Sequence, residues 1–431
     1  MKRFIFLALI EFVLVVVSAT AQDVYDLSAR NTEPARSHIR PYHNMVEALN
    51  GKPATSRFVA AVEAPSRSES GSVVTYTTYF PLPISWLSRQ TILRIGYAST
   101  AYTVYVNGHE IGYTPIGVMG AEFNITKAAH EGLNQITITL DKSLLANKLY
   151  SLDEMDVDEI EVFSQPTIRM RDIALNLTLT EGSGGLAEFA IPIKCNSLNK
   201  KSMRLRYTLR LGDEEVLTDG YREMTLDMRR EDTIRFACVL PAKALWSAKR
   251  PTLLRLDLES RIDNRIVECI SRYIGARQLT VNNGDLYVNN DKVELKLVEW
   301  SEIQDPDKVT KSGYNGIVLT LDRFSEDIIE ECNKRGLYVI IRTPIDTTLL
   351  GDDIRKGGNP SNDPMWNESY LWRNAHTFHS TKHNCSVVGY EIAKGKTSGI
   401  NIYDTYIMMK SLSPNHLVIY GGAKGEWATD K

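Results

Sequence analysis

One change of pattern in the second half of the chain constrains the fold more than any other feature. Before it, short runs of alternating apolar and polar residues predict β-strands. After Asn282–Gly284, strand-like and helix-like segments alternate. Such alternation is typical of parallel strands joined by right-handed crossover helices. The chain is therefore predicted to combine all-β domains with a C-terminal α/β domain.

The region before this change contains two groups of predicted strands. Val73–Phe80 is β-branched and aromatic, and Asn107–Gly108 predicts a tight hairpin between two strands. These strands predict a jelly-roll β-sandwich over 73–167. A second group predicts an immunoglobulin-like β-sandwich over 168–280. Residues 22–72 are expected to form a leader and linker.

The C-terminal region, 281–431, contains about five predicted strands that alternate with helices. One helix is expected over Phe324–Arg335, with Ser325 as its N-cap and Gly336 as its stop signal. Five strands do not close an eight-stranded barrel, so we expect an incomplete (β/α) TIM-type barrel with an uncovered edge strand and uncovered apolar helix faces. The predicted fold class is thus multidomain β plus α/β.

The net charge limits the kinds of partner that are expected, and the N-terminal segment predicts where the protein is located. The 50 Lys and Arg nearly balance the 53 Asp and Glu, and the net charge of −3 gives no reason to expect nucleic acid or an anionic membrane as a partner. Lys2, Arg3, the apolar run 4–17 and the small residues 19–21 predict a signal peptide over 1–21. We expect an exported protein, periplasmic or on the outer surface or secreted in a Gram-negative bacterium, with no membrane span after cleavage.

Five cysteines are spread along the chain without metal-like spacing. Cys195, Cys238 and Cys269 fall in one predicted β domain. The sequence is compatible with one disulfide among them and with isolated buried thiols.

Three histidines have a spacing that can bind a metal. His376, His379 and His383 lie on one face of a predicted helix. No carboxylate or cysteine completes the set, and Trp372 and Phe378 nearby favour ordinary packing. No metal and no other cofactor is expected.

Several motifs occur in a fixed order along the chain. They are the hairpin around Asn-Gly at 104–113, the run Ala-Glu-Phe-Asn-Ile-Thr at 121–126, and the strand at 335–340. Between the last two lie three segments, 245–251, 274–277 and 286–291, at the junction of the predicted immunoglobulin-like domain and the barrel. In this order they resemble glycoside hydrolase family 2, the β-galactosidase-type enzymes. Glu33–Arg36 is similar to the N-terminus of exported members. The resemblance spans most of the chain and implies two sandwiches followed by a catalytic barrel.

The chain departs from the family pattern where the chemistry should be. Retaining hydrolysis needs two carboxyl groups ~5 Å apart, one protonated and one ionised. The family's acid/base position aligns with Gly395, next to Lys394 and after the predicted strand Val387–Ile392. The nucleophile belongs after a seventh barrel strand, beyond the five predicted. The loop that reaches the family's active site is reduced to 151–156, and Glu302 is the one matched catalytic residue retained.

Three glutamates are weaker candidates for the missing acid. Glu391 lies four positions before Gly395, and strand alternation points it the same way but about two layers deeper, where a buried or paired carboxylate is expected. Glu426 follows the fifth predicted strand, where a surface loop is expected. Glu302 is the third candidate. We therefore name no catalytic residue.

A loop over the expected barrel mouth offers groups that bind sugars. Trp366 can stack on a sugar ring, and Asn359 and Asp363 can bond its hydroxyls, although loop capping is the plainer interpretation. The resemblance and the losses together predict an exported family 2-like protein of carbohydrate metabolism that binds a glycan or a protein and does not hydrolyse alone. Two alternatives stay open. One is an active β-galactosidase-type retaining glycosidase of which this chain is a fragment. The other is a structural or assembly component of the cell envelope, with an envelope protein covering the open barrel.

Overall fold

The computed structural model describes residues 26–53, 56–150, 152–181, 184–348, 355 and 358–431. They form two β-sandwiches followed by an open parallel sheet with helices, in the expected order, and this confirms the predicted fold class. The boundaries proposed between the domains stay predictions. The predicted signal peptide, 1–21, lies outside the described residues.

The first sandwich packs a five-stranded sheet against a three-stranded one. Its strands are β1 (Ser66–Ser70), β2 (Val73–Leu82), β3 (Gln90–Ala98), β4 (Tyr102–Val106), β5 (His109–Thr114), β6 (Ala121–Asn124), β7 (Gly132–Asp141) and β8 (Val157–Gln165). The spatial orders are β1-β2-β7-β4-β5 and β6-β3-β8, and paired strands are antiparallel. Buried and less buried side chains alternate along β2 and β7, because each strand has one face on the core.

The predicted Asn-Gly hairpin joins β4 to β5. Asn107 and Gly108 have φ angles of 51° and 79°, the left-handed conformation that such a turn requires. The stretch expected to be leader and linker contains regular structure, because β1 pairs with β2 and a short helix, α1 (Met45–Asn50), precedes it.

The residues before β1 connect the two sandwiches. Arg30 pairs with Tyr113 of β5, and Tyr42 pairs with Cys269 of the second sandwich. Arg36 adds a hydrogen bond of 2.9 Å to the Glu122 carboxylate. This segment therefore lies across both β domains and limits their relative motion.

The second sandwich consists of two four-stranded sheets. Its strands are β9 (Ile168–Met170), β10 (Ala174–Thr180), β11 (Gly184–Cys195), β12 (Lys201–Leu211), β13 (Glu215–Leu226), β14 (Glu231–Leu240), β15 (Leu254–Ile262) and β16 (Arg265–Ile274). The orders are β10-β11-β14, with β9 on β11, and β13-β12-β15-β16. Phe236 lies between Phe189 and Tyr207 in the core, with ring centroids 4.8 and 3.8 Å away. All five cysteines, each in the described ranges, are free thiols.

The α/β domain begins with a small antiparallel sheet, β17 (Leu279–Asn282), β18 (Asp285–Val288) and β19 (Asp291–Val293). Five parallel strands follow in sequential order: β20 (Leu297–Glu299), β21 (Gly316–Thr320), β22 (Tyr338–Arg342), β23 (Val387–Glu391) and β24 (Leu417–Ile419). The helices are α2 (Trp300–Ile303), α3 (Pro306–Lys311), α4 (Ser325–Arg335), α5 (Asn367–Thr381) and α6 (Ile400–Leu412). The inner face of the parallel sheet packs on β17–β19, and the outer face packs under the helices.

Helix α4 corrects one detail of the sequence prediction. Ser325 is its first residue and not its N-cap, because the Ser325 hydroxyl accepts a hydrogen bond of 2.7 Å from the Asp322 amide in the preceding turn. The N-cap position is Phe324, with φ of 66°. Gly336 ends the helix in the left-handed conformation, as expected.

The predicted open edge of the parallel sheet is partly covered by the chain itself. The Asp430 amide donates to the Val418 carbonyl (2.8 Å), and the Asp430 carboxylate accepts from the Val418 amide (2.9 Å). These bonds satisfy backbone groups that β24 would otherwise leave unpaired. On α6, Ile400, Tyr403 and Ile407 remain 47–50% exposed, so an apolar helix face is uncovered. Of the helices in the described part of the chain, none is long and apolar enough to cross a bilayer.

Candidate functional site

Three charged side chains meet at the C-terminal end of the parallel sheet. Glu299, Arg342 and Glu391 are the last residues of β20, β22 and β23. Arg342 donates through both terminal nitrogens to the Glu299 carboxylate (2.7 and 2.8 Å) and through Nε to Glu391 (2.7 Å). Because the C-terminal ends of parallel barrel strands are where such folds bind ligands, this bridge marks the candidate site.

Burial and charge at this bridge keep both carboxylates paired with Arg342. The Arg342 side chain is 11% exposed and Glu391 is 15% exposed, whereas Glu299 is 37% exposed. Burial raises the pKa of Glu391 above its ordinary value, although the Arg342 charge opposes the rise. Burial alone would lower the pKa of Arg342, but its hydrogen bond to Glu299 and the charge of Glu391 raise it. The guanidinium therefore stays charged and pairs with both glutamates.

Gly395, the position that the resemblance predicts to match the family's acid/base residue, has no room for a side chain. Gly395 has φ of 144°, a conformation that L side chains rarely adopt, and a Cβ on it would overlap the Thr347 hydroxyl. Two backbone hydrogen bonds fix this segment: Thr347 N donates to Lys394 O (2.9 Å), and Lys394 N donates to Ile345 O (2.8 Å). Lys394 also lies 3.5 Å from the Asp346 carboxylate.

The structure places the other two glutamate candidates away from this bridge. Glu302 is exposed on α2, and Glu426 is exposed in the loop after β24. An exposed carboxyl lacks the enclosed surroundings in which a glycosidase holds its general acid. Of the three candidates, the structure brings only Glu391 together with a second carboxyl, and Arg342 lies between them.

The three predicted sugar-binding residues lie in two short 3₁₀ turns before α5. Asn359 accepts from the Ser361 amide and Asp363 accepts from the Met365 amide, so both cap turns. Trp366 is 4% exposed and belongs to the barrel core. These contacts account for all three residues structurally, and their role in sugar binding stays a prediction.

His376 and His379 of α5 pack against aromatic rings, whereas His383 lies in the turn after the helix, which ends at Thr381, so the three do not share one helix face as predicted. The His376 ring lies 4.9 Å from Trp372, and burial lowers its pKa to about 4. His379 lies against Phe378 at 5.2 Å. Burial also lowers the pKa of His383. Among the described residues, no group of three or more His, Cys, Asp or Glu is placed to hold a metal ion.

A buried arginine fixes the first sandwich to this end of the barrel. Arg373 of α5 is 0% exposed and donates to the backbone carbonyls of Pro344 (2.9 Å), Ala146 (2.9 Å) and Pro115 (3.2 Å). Burial lowers its pKa to about 10. The contacts hold the loop after β22 against the loops of the sandwich, so the mouth of the barrel has a fixed wall.

The sandwich loop that precedes β8 also reaches the barrel. Asp156 pairs with Arg323, which follows β21. Burial alone would raise the pKa of Asp156, but the hydrogen bond and charge of Arg323 hold it below its ordinary value. The sequence did not reveal the Asp156–Arg323 pair, and it did not reveal the roles of Arg373 and Arg342. The signal for Arg342 was present, since residues of opposite charge end three strands that the pattern predicts to be parallel.

Comparison with known proteins identifies the family. The sugar binding domain of glycosyl hydrolases family 2 matches residues 49–176, and the TIM barrel domain of the same family matches 303–430. The chain belongs to glycoside hydrolase family 2. The predicted resemblance is therefore confirmed over both a sandwich and the barrel.

Family 2 relatives are similar over most of this chain but are longer. A β-galactosidase of Priestia megaterium is 21% identical over 372 residues, 80% of this chain and 36% of the relative. One of Halalkalibacterium halodurans is 24% identical over 387 residues, 82% of this chain and 37% of the relative. The chain thus spans about a third of the length of these curated relatives.

Solved family 2 structures share the fold. A β-glucuronidase of Bacteroides uniformis superposes with a TM-score of 0.69 at 14% identity, covering 82% of this chain and 47% of that one. A β-D-glucuronidase of Dictyoglomus thermophilum gives a TM-score of 0.66 at 16% identity, covering 86% and 73%. At such identities the likeness establishes the fold and not the substrate.

Proposed function

We propose that this family 2 chain binds a glycan at the C-terminal end of its parallel sheet without hydrolysing it. The observation that carries the proposal is the double pairing of Arg342 with Glu299 and Glu391. A general acid must present a proton to the leaving oxygen, and a nucleophile must present a free lone pair. Both carboxylates instead accept hydrogen bonds from one guanidinium.

The geometry at Gly395 supports the same proposal. Substitution by a carboxylic acid there would need both a change of backbone conformation and displacement of Thr347. A single substitution at Gly395 would therefore not place a carboxylic acid there without other changes in the structure. The polar groups that remain, Lys394 with Asp346 and the Arg342 bridge, can bond sugar hydroxyls without cleaving a glycosidic bond.

Hydrolysis and binding are tested on the same protein. Chromogenic β-galactoside and β-glucuronide should give no release above the protein-free rate, and calorimetry should detect binding of a β-linked galactoside. Lys394→Ala should weaken that binding, whereas Lys424→Ala, at an exposed lysine in the loop after β24, should not. Hydrolysis that Glu391→Gln abolishes and the control Glu294→Gln, at an exposed glutamate before β20, retains would instead support the active retaining glycosidase.

A protein partner is the second candidate function. The exposed Ile400, Tyr403 and Ile407 form one row on α6, since positions three and four apart lie on the same helix face. Such a row favours burial against another protein. Light scattering on the purified chain and on Tyr403→Lys tests it, because a complex that depends on this row should dissociate in the variant.

The proposal includes export. It is supported by the basic, apolar and small-residue segments within residues 1–21. N-terminal sequencing of the protein from a periplasmic or secreted fraction should begin at Gln22. A mature protein in the cytoplasm that retains Met1 would contradict this part of the proposal.

A further inference from the structure

A large cavity lies where the leader, both sandwiches and the barrel meet. Its volume is about 980 Å³, which is within the range of small-molecule sites. The leader contributes His38 and Arg40, the first sandwich Arg94, the second sandwich Arg272, and the barrel Phe324. Among the described residues that line this cavity, none is Glu299, Arg342 or Glu391. The cavity is therefore separate from the candidate site.

Several charged side chains in the polar wall of the cavity are already paired. Arg94 contacts Glu326 (2.7 Å) and Glu159 (3.3 Å), and Arg40 contacts Glu161 (2.6 Å). His38 lies between Glu161 (3.1 Å) and Glu326 (3.5 Å). Two of these carboxylates remain accessible, since the side chain of Glu326 is 59% exposed and that of Glu159 is 40% exposed.

This pairing restricts the chemistry of a ligand. An anionic group would meet the accessible carboxylates, and a cationic group would meet Arg94 and Arg40. Hydroxyl groups both donate and accept hydrogen bonds, so they can use the carboxylate oxygens and the guanidinium N–H groups together. Arg272 adds donors, because within the described residues its guanidinium makes one hydrogen bond, from Nη1 to the His38 carbonyl (3.3 Å).

The rim of the cavity carries an aromatic ring in an unfavourable backbone conformation. Phe324 is 57% exposed and has φ of 66° and ψ of 8°. A bulky residue in this left-handed region is rare, and strained backbone of this kind clusters at active sites, ligand clamps and switch regions. An exposed ring does not gain enough burial to explain the strain, but it can pack on the apolar face of a pyranose.

We propose that this cavity is a second carbohydrate site, which takes a neutral, polyhydroxylated ligand of disaccharide size and stacks it on Phe324. The paired charges of Arg94, Glu159 and Glu326 bond its hydroxyls. The site is independent of the proposed function, because its residues differ from those at the barrel mouth.

The test uses Phe324→Asn and Phe324→Tyr in the full chain, with lactose, cellobiose and maltose as probes in calorimetry and ligand-observed NMR. Asn removes the ring, tolerates the left-handed conformation and suits a helix N-cap, so it should keep or raise the thermal midpoint and weaken binding about tenfold or more. Tyr keeps the ring and should bind as the parent does.

Several results would overturn the inference. They are no binding of any neutral disaccharide, binding that Phe324→Asn leaves unchanged, and a lower thermal midpoint for Phe324→Asn. Binding of glucuronate or inorganic phosphate in place of the neutral probes would show that the ligand class is wrong. If Lys394→Ala abolishes disaccharide binding and Phe324→Asn does not, the sugar lies at the barrel mouth and only the proposed function stands.

Discussion

Replacing Arg342 by methionine should destabilise the barrel by an amount that depends on pH. Removing one partner of a buried ion pair costs ~3–5 kcal/mol, and a surface pair is worth ~0–1 kcal/mol. Glu391 is 15% exposed and belongs near the first case, whereas Glu299 is 37% exposed and belongs near the second. We therefore expect Arg342→Met to lower the free energy of unfolding by ~2–4 kcal/mol near neutral pH.

The sign of the pH dependence follows from the pKa of Glu391, which burial already raises in the folded state. A raised folded pKa favours the folded protein at low pH, and this contribution is lost as pH rises through the folded value. Without Arg342 the pKa of Glu391 rises further, because burial and the charge of Glu299 are then opposed only by the charge of Lys394. The loss in Arg342→Met should be small at about pH 4 and complete at about pH 8.

Urea unfolding followed by tryptophan fluorescence measures this loss, since Trp300, Trp366, Trp372 and Trp427 are four of the six tryptophans and all lie in the barrel region. The matched control is Arg335→Met, at an arginine that is 40% exposed and pairs with two carboxylates on the surface. Its loss should stay below ~1 kcal/mol. An Arg342→Met loss no larger than the control, or equal at both pH values, would refute the argument.

Three further outcomes are expected. Gly395→Ala should cost ~2–4 kcal/mol because of its φ and the overlap with Thr347, whereas Gly421→Ala, with open space around it, should stay within ~1 kcal/mol; thermal unfolding compares them. Trp366→Ala should cost ~3–5 kcal/mol through the core cavity it leaves, measured by urea unfolding, and a loss below ~1 kcal/mol would contradict its burial. Burial lowers the pKa of His376 from 6.5 to about 4, so the free energy of unfolding should fall as pH drops from about 6.5 to about 4. The NMR signals of His376 should accordingly not titrate above about pH 5.

Local elements were predictable where the residues themselves carry the signal. The hairpin at Asn107–Gly108 and the helix stop at Gly336 depend on backbone conformations that these residue types favour, and both are observed. The N-cap of α4 was placed one residue late, because the Ser325 hydroxyl is used by the turn before the helix. The stretch 22–72 was expected to be a leader and linker, but β1 forms there because it adds to the edge of β2.

The candidate site was only partly predictable. Glu391 was identified from its place on the strand, and a paired carboxylate was expected there, which the structure shows. Its partner was not identified, because Arg342 lies 49 residues from Glu391 and 43 from Glu299 in the chain. The rim residue Phe324 was identified only as the start of a helix, since no local pattern indicates a positive φ for phenylalanine.

The sequence by itself determined the order of the domains, the parallel strands and the family, because periodicity, turn residues and motif order are local properties of the chain. The tertiary structure alone decided which charges face each other. Arg342 joins two glutamates because three strand ends meet at one edge of a parallel sheet, and the cavity at Phe324 exists because three domains and the leader enclose it. Pairing and enclosure depend on distances between residues far apart in sequence, and these are set only when the domains pack.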